Sequence, residues 1–418
     1  MFTRVEARRF RSLKAVEQSV GPFSALVGPN GSGKTTFLDV IALLGDLMRN
    51  RGDVRQTVFE RSFTYQKLLW LEEGTDFQLA VEAEIPADVR ARMAEDKQKF
   101  SHVRYEVQVG LNGSSEQVGL DHEKLWLFEA TRKPTQPRLD FPRPPSLPDS
   151  LVAGASQRRK AIITKKPGGN DNYYPEGRKS YTPSFKLGRS KSALANVPAD
   201  PESFPVSTWF QRELEEGVQT FALNGLAIRQ PSPPGMGSRF RPDGSNLPWV
   251  VDSLRKSPRA LRQWIEHVRT ALPDIEDIQT IEREEDRHRY LVVTYANGAR
   301  VPSWLVSDGT LRLLALTVPA YLPDLVGTFL IEEPENGIHP RAIETVLQSL
   351  SSMYSSQVLL ATHSAIALNM VDLANVLCFG KDASGATDIV AGDEHPALTN
   401  WKRGEPDLGV MFANGILS

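Results

Sequence analysis

The chain has 418 residues, 40% of them hydrophobic, with seven Trp and eighteen Phe, enough for two or three domains or one large core with insertions. Its formal net charge of −2 carries no whole-molecule signal for nucleic acid, and its single cysteine, Cys378, excludes a disulfide framework and fits a reducing cytoplasm. The start, MFTRVEARRFRSL, is too polar for a signal peptide, and there is no run of about eighteen apolar residues that would span a membrane.

In chain order, the apolar run Phe23 to Val27 reads as a buried strand. It leads straight into Gly28-Pro29-Asn30-Gly31-Ser32-Gly33-Lys34-Thr35, which matches G-x-x-x-x-G-K-[ST] at every position. The glycines allow backbone N–H groups to turn inward around phosphate oxygens. A helix is expected from about Lys34, with Phe37, Leu38 and Ile41 at helical spacing, and its N-terminus adds partial positive charge. Lys34 has the reach for β- and γ-phosphates, and the Thr35 hydroxyl is a Mg²⁺ ligand type.

Gln78 to Ile85 and Tyr105 to Leu111 alternate apolar and polar residues, the pattern of amphipathic strands. Residues 131–192 change character, with fourteen Lys/Arg against four Asp/Glu and prolines at 134, 137, 142, 144, 145 and 148. Tyr173, Tyr174, Tyr181 and Phe185 interleave with the basic residues. Two readings stand: a nucleic-acid arm, or, favoured here, a solvated and partly disordered insertion or a docking loop for an acidic partner.

Ser257-Pro258 opens a helix with Leu261, Trp264, Ile265 and Val268 on one face. Arg289 to Tyr295 reads as a strand, followed by a turn at Asn297-Gly298. Ser307 is a natural N-cap for a helix with the apolar face Leu311, Leu314 and Ala315. Thr328 to Ile331 is a strand ending in Glu332 and Glu333, and Glu335, past Pro334, is expected to point elsewhere. In P-loop ATPases such an acidic pair holds the metal and polarises the attacking water, which assigns Glu332 to Mg²⁺ and Glu333 to the base. Gln357 to Ser364 reads as a strand with His363 at its exit, expected to contact the γ-phosphate.

The P-loop, Ser-Asp-Gly-Thr, Glu-Glu-Pro-Glu and Thr-His-Ser motifs, in this order, resemble the ABC-type ATPase heads of the RecF/SMC/OLD group, and its short-armed AAA-type members of defence and repair systems in particular. Phe10-Arg11-Ser12 ahead of the P-loop, IRQPSP (Ile228 to Pro233), RPDGSNLPWVVDSL (Arg241 to Leu254) and DLGVMFANGIL (Asp407 to Leu417) share the resemblance, which covers roughly residues 1–90 and 220–418. It implies an α/β fold, a P-loop NTPase head with a RecA-like core and a flanking antiparallel sheet, carrying a large mixed insertion. The expected division is 1–90, the N-terminal part of the head; 91–250, an insertion or lid region; and 251–418, the C-terminal part.

The resemblance further implies that Ser307, Asp308 and Gly309 form a signature motif meeting the γ-phosphate held by a second protomer. His363 matches the switch histidine, and Asn336, Gly337 and His339 fall in the D-loop region. Arg11, Ser12, Asn30, Gly31, Ser32, Gly33, Lys34, Thr35 and Thr36 fall to nucleotide binding, with either Gln66 or Gln78 as the Q-loop glutamine. ATP and Mg²⁺ are the implied cofactors. The implied partners are a second copy closing around ATP and, beyond it, DNA or an effector protein of the same system. The expected activity is ATP hydrolysis in DNA repair or anti-phage defence; the alternative is an ATP-shaped scaffold that sequesters or releases an effector. The prolines between P-loop and acidic strand, with no sustained heptads, exclude long coiled-coil arms. No paired Asp-x-Asp follows His363, so a nuclease activity of this chain is not expected.

Overall fold

The computed structural model describes residues 1–112, 117–130, 138–144, 146, 148–152, 158–177, 181–399 and 407–417. The chain forms two units: Met1–Val218 with Leu373–Pro406 and Gly415–Ser418, and Gln219–Asp372 with Asp407–Asn414.

In the first unit, β1 (Phe2–Phe10), β2 (Leu13–Ser19), β4 (Asp76–Glu84), β5 (His102–Leu111), β6 (Val118–Phe128), β7 (Arg159–Lys165), β8 (Asp171–Tyr173) and β9 (Ser184–Phe185) make one sheet in the order β2-β1-β4-β5-β6-β7-β8-β9. Every pairing in it is antiparallel. The strands form where alternation predicts them, but β4 is not half-wet: Phe77 to Ala83 are all buried. Its Gln78 is covered by the Pro-rich segment, and its Glu82 pairs with Arg4 and Arg104. Ser150 Oγ and Leu151 N–H donate to Gln78 Oε1 at 3.1 and 2.7 Å, and Arg8 Nε donates to the Pro148 carbonyl at 3.0 Å. Next to them, buried Arg104 pairs with Glu6 at 2.6 Å, Glu82 at 2.9 Å and Glu106 at 2.6 Å. Burial works against its charge, yet the hydrogen bonds and charge of Glu6, then Glu106, outweigh it and hold the guanidinium above its ordinary pKa.

Residues 131–137, 145, 147, 153–157 and 178–180 of the basic segment lie outside the described residues. The rest departs from the solvated-loop expectation, because it supplies β7 to β9 and sends cations to acids of the same unit. Lys165 pairs with buried Asp171, Arg189 with Asp121 at 2.7 Å, and Lys191 with Asp53 at 3.2 Å.

The strand β3 (Phe23–Val27) runs parallel to Val376–Lys381, which pairs antiparallel with Thr387–Ala391. From β3 the chain enters helix α1 (Lys34–Arg49), whose Phe37, Leu38, Val40, Ile41 and Leu44 are buried. Cys378 is buried on the neighbouring strand, which pushes its thiol up to about 12, so it is poorly reactive.

In the second unit, strand Thr328–Glu332, helix Pro340–Ser351 and strand Gln357–Ala361 form a parallel βαβ element. Ile275–Glu282, Arg289–Tyr295 and Arg300–Pro302 form an antiparallel meander, and the expected turn at Asn297-Gly298 is there, with Gly298 at φ 78°. The helix Pro258–Ala271 buries Trp264, Ile265 and Val268, and Trp264 Nε1 donates to Thr317 Oγ1 at 2.9 Å on the helix Asp308–Thr317.

Candidate nucleotide-binding site

The P-loop lies wholly in the first unit. Gly28 and Gly33 have φ of 151° and 104°, values that L side chains rarely adopt. A Cβ on Gly28 would stand 2.3 Å from the Phe379 carbonyl oxygen, and one on Gly33 2.4 Å from Thr387 Oγ1, so the loop closes only with glycine at both. Lys34 is buried and its Nζ donates to the carbonyls of Gly28 at 2.8 Å and Pro29 at 3.0 Å. The Ser32 hydroxyl is buried with no hydrogen-bond partner, which leaves it available to a phosphate oxygen. Asn30, Gly31 and Thr35 are exposed at the mouth of the loop. Ser12 Oγ donates to Thr36 Oγ1 at 3.4 Å, and Arg11, at φ 48°, pairs with Asp39 of α1 at 2.9 Å. These groups fit an anion: a ring of backbone turned by glycine, an ammonium, an orphan hydroxyl and the start of a helix.

The acidic set lies in the second unit. Glu332 ends its strand exposed, and Glu333 follows with a left-handed φ of 45°. That conformation is strained for a glutamate. It is held by the Glu333 N–H donating to the Ala361 carbonyl at 2.8 Å and by Asn336 Nδ2 donating to Glu333 Oε2. His363 Nε2 stands 3.7 Å from Glu333 Oε1. Glu335 does point elsewhere, to the exit of the next strand. Its Oε1 accepts from the His363 N–H and from Thr362 Oγ1, both at 2.8 Å, while its Oε2 is buried without a partner. Three residues past the strand end, this carboxylate fastens the acidic turn to the exit of the next strand.

Ser307 caps the helix Asp308–Thr317, accepting from the Thr310 N–H at 3.2 Å. A Cβ on Gly309 would lie 2.8 Å from the Gly337 carbonyl oxygen, so glycine is what lets this helix approach the turn after the acidic residues. Arg312 strengthens the contact, with Nε donating to Asp308 Oδ2 at 3.1 Å and Nη1 to the Asn336 carbonyl at 3.4 Å. His339 caps the helix Pro340–Ser351, its Nδ1 accepting from the Arg341 N–H at 3.2 Å.

Thus Arg11, Ser12 and Asn30 to Thr36 come together in the first unit, and Ser307, Asp308, Gly309, Glu332, Glu333 and His363 in the second. Of the two glutamines, Gln78 is buried under the Pro-rich segment and Gln66 is exposed in the turn Tyr65–Leu68. Sequence reasoning missed Thr387 and the partners of Glu335. The only local signal for Glu335 was its place in a crowded acidic turn; Thr387 had none.

Among the described residues no group of three or more His, Cys, Asp or Glu could hold a metal alone. The hydroxyl of exposed Thr35 and the carboxylate of exposed Glu332 are oxygen donors of the kind Mg²⁺ takes together with substrate phosphates.

The fold is like that of SMC head domains, and the loop has the P-loop pattern. The structure described as "Crystal structure of the SmcHead bound to the C-winged helix domain of ScpA" superposes with a TM-score of 0.53 at 14% identity, covering 93% of this chain and 97% of that one. An Smc head with an extended coiled coil, bound to the C-terminal domain of ScpA derived from Pyrococcus furiosus, gives 0.51 at 12% identity, covering 93% and 96%. The chain belongs to the family described as "AAA domain, putative AbiEii toxin, Type IV TA system", which matches residues 23–369. A stretch of 48 residues is 48% identical to the OLD nuclease of Thermus scotoductus (strain ATCC 700910 / SA-01), covering 11% of this chain and 9% of that protein. Membership places the chain among ATPases, with nucleotide as its ligand class and Mg²⁺ as the usual companion ion. Among the described residues no helix is long and apolar enough to cross a membrane.

Proposed function

We propose that this protein is a Mg²⁺-dependent ATPase that pairs with a second copy around ATP and couples the cycle to DNA or to a partner protein, in repair or defence. The observation that carries the reading is the P-loop: glycine-only geometry, a buried lysine bonded to loop carbonyls, and a buried serine hydroxyl without a partner.

In this reading the Gly31 to Lys34 backbone receives the phosphates, and Lys34 exchanges its carbonyl partners for β- and γ-oxygens. Thr35 and Glu332 are the residues that would supply oxygens to Mg²⁺, whose charge would neutralise the phosphates. Glu333, oriented by Asn336 and facing His363, takes the proton of the attacking water. Gln66 is the Q-loop residue. The capped N-terminus at Ser307 meets the γ-phosphate of the second copy's nucleotide. Exposed apolar residues at that helix's approach, Leu226 at 77% and Leu305 at 70% relative exposure, suit a face that meets protein rather than water.

The test is Glu333→Gln. The variant binds ATP with unchanged affinity while turnover falls by roughly 10²- to 10³-fold; hydrolysis at the normal rate would refute the assignment.

A further inference from the structure

The hairpin Val376–Lys381/Thr387–Ala391 stands between the P-loop and the start of the basic insertion, all within the first unit. Its register sets Lys381 opposite Thr387 and Gly380 opposite Asp388. Neighbours along a strand point to opposite faces, so the first pair faces one side and the second pair the other.

On the loop side, Thr387 is fully buried. Its Oγ1 donates to the Ser32 carbonyl at 2.8 Å, and its N–H donates to the Ser12 carbonyl at 3.2 Å. Two residues on from the Phe379 carbonyl that abuts Gly28, Lys381 Nζ would lie 3.6 Å from a Cβ on Gly31. On the opposite side, residues 138–143 are clamped to the hairpin. Arg138 Nη1 donates to both oxygens of Asp388 at 2.8 and 2.9 Å, and Nη2 to the Ile389 carbonyl at 2.7 Å. The Arg143 N–H donates to Asp388 Oδ2 at 2.9 Å, and the Arg138 N–H to the Glu394 carbonyl at 3.1 Å. Phe141 lies on Gly380, where a Cβ would stand 3.0 Å from its Cζ, and its ring meets that of buried His395 edge-on at 5.0 Å.

One hairpin therefore touches the phosphate loop with one face and the insertion with the other, through adjacent residues. We propose that Thr387 is a positioning residue for the nucleotide loop, and that the Arg138–Asp388 clamp couples the basic insertion to it, so that gripping or releasing residues 138–143 changes how tightly nucleotide is held. Asp388 is 7% exposed; without Arg138 it is a buried carboxylate left with the Arg143 and Ile389 N–H donors, a cost that protonation or a shift of the strand relieves. Such a shift moves Thr387, and with it the Ser32 carbonyl. The inference rests on the P-loop being the nucleotide site.

The test uses the full chain and a fluorescent ATP analogue with Mg²⁺, read by anisotropy. Thr387→Val, which keeps shape and removes the donor, weakens binding about tenfold, whereas Thr387→Ser stays within about twofold of the parent. Arg138→Gln weakens binding about threefold, and combined with Thr387→Val it adds less than the product of the two, because both act through one contact chain. Thr387→Val with parental affinity overturns the positioning role, and strictly multiplicative effects overturn the coupling. Lys34→Ala separates the two readings: if it binds normally, the nucleotide site itself is misplaced; if it fails while Thr387→Val does not, only the present inference falls. Should Thr387→Val not fold, hydrogen exchange of residues 28–36 in nucleotide-free Arg138→Gln decides, faster exchange supporting the coupling and unchanged exchange overturning it.

Discussion

Glu333, the base of the proposed cycle, combines a strained backbone with a side chain held by neighbours. Relieving the strain without the chemistry is informative. Glu333→Gly frees the φ of 45°, so it keeps or raises stability yet abolishes turnover; a fall in thermal midpoint with retained turnover would show that the carboxylate is only structural. A second residue gives a pH signature. Glu176 is fully buried and accepts from the N–H groups of Val206 and Ser207 and from the Ser207 hydroxyl at the start of the helix Pro205–Arg212. Burial, opposed by these hydrogen bonds, pushes its carboxyl up from 4.5 to about 7. The folded state thus holds the proton more tightly than the unfolded one between these values, and stability falls as pH rises through that window, by up to about 1.4 kcal/mol per pH unit. Glu176→Gln flattens that slope in urea titrations at pH 5 to 8; an unchanged slope would mean that another group titrates.

At the scale of elements, the large sheet depends on a polar core that no single strand announces. Arg104 answers three carboxylates from three strands, Glu6, Glu82 and Glu106. Arg104→Met leaves them crowded without a countercharge and destabilises the first unit by about 3–5 kcal/mol, read as a lower urea midpoint. The Ser307 cap is worth less. Ser307→Ala costs about 1 kcal/mol of stability, and if the helix N-terminus also meets a phosphate, the loss in turnover exceeds what that destabilisation accounts for. These elements differ in legibility. The P-loop, the Ser307 cap and the Asn297-Gly298 turn are written in contiguous residues, and strand alternation located β4 and β5. The dry polar face of β4 was invisible, because its cover comes from residues 148–152, some seventy positions on.

For the whole molecule, the proposed cycle predicts a change of mass with nucleotide. Glu333→Gln protein with ATP and Mg²⁺ sediments as a dimer and reverts when the ion is chelated; a species that remains monomeric in saturating ATP would remove the basis for shared sites. ATP turnover with and without duplex DNA, at two salt concentrations, addresses the partner. Stimulation that fades with salt is the signature of phosphate contacts, whereas turnover indifferent to DNA favours a protein partner. The division of the basic charge bears on this. Arg138, Lys165, Arg189 and Lys191 are paired with acids of the same unit, which reduces the charge that the formal count over 131–192 would offer to a polyanion.

The sequence alone determined the chemistry of the loop and the class of the fold, because a phosphate cradle needs its glycines, lysine and hydroxyl within eight consecutive positions, where backbone geometry leaves few alternatives. It also located Glu332, Glu333 and His363 at strand ends. What only the tertiary structure decided are the partnerships across long separations: Glu335 with the backbone of His363, Arg104 with Glu6 and Glu82, and Thr387 with Ser32, 355 positions apart. Such pairs leave no period or spacing in the chain, since the contact exists only after the strands have aligned.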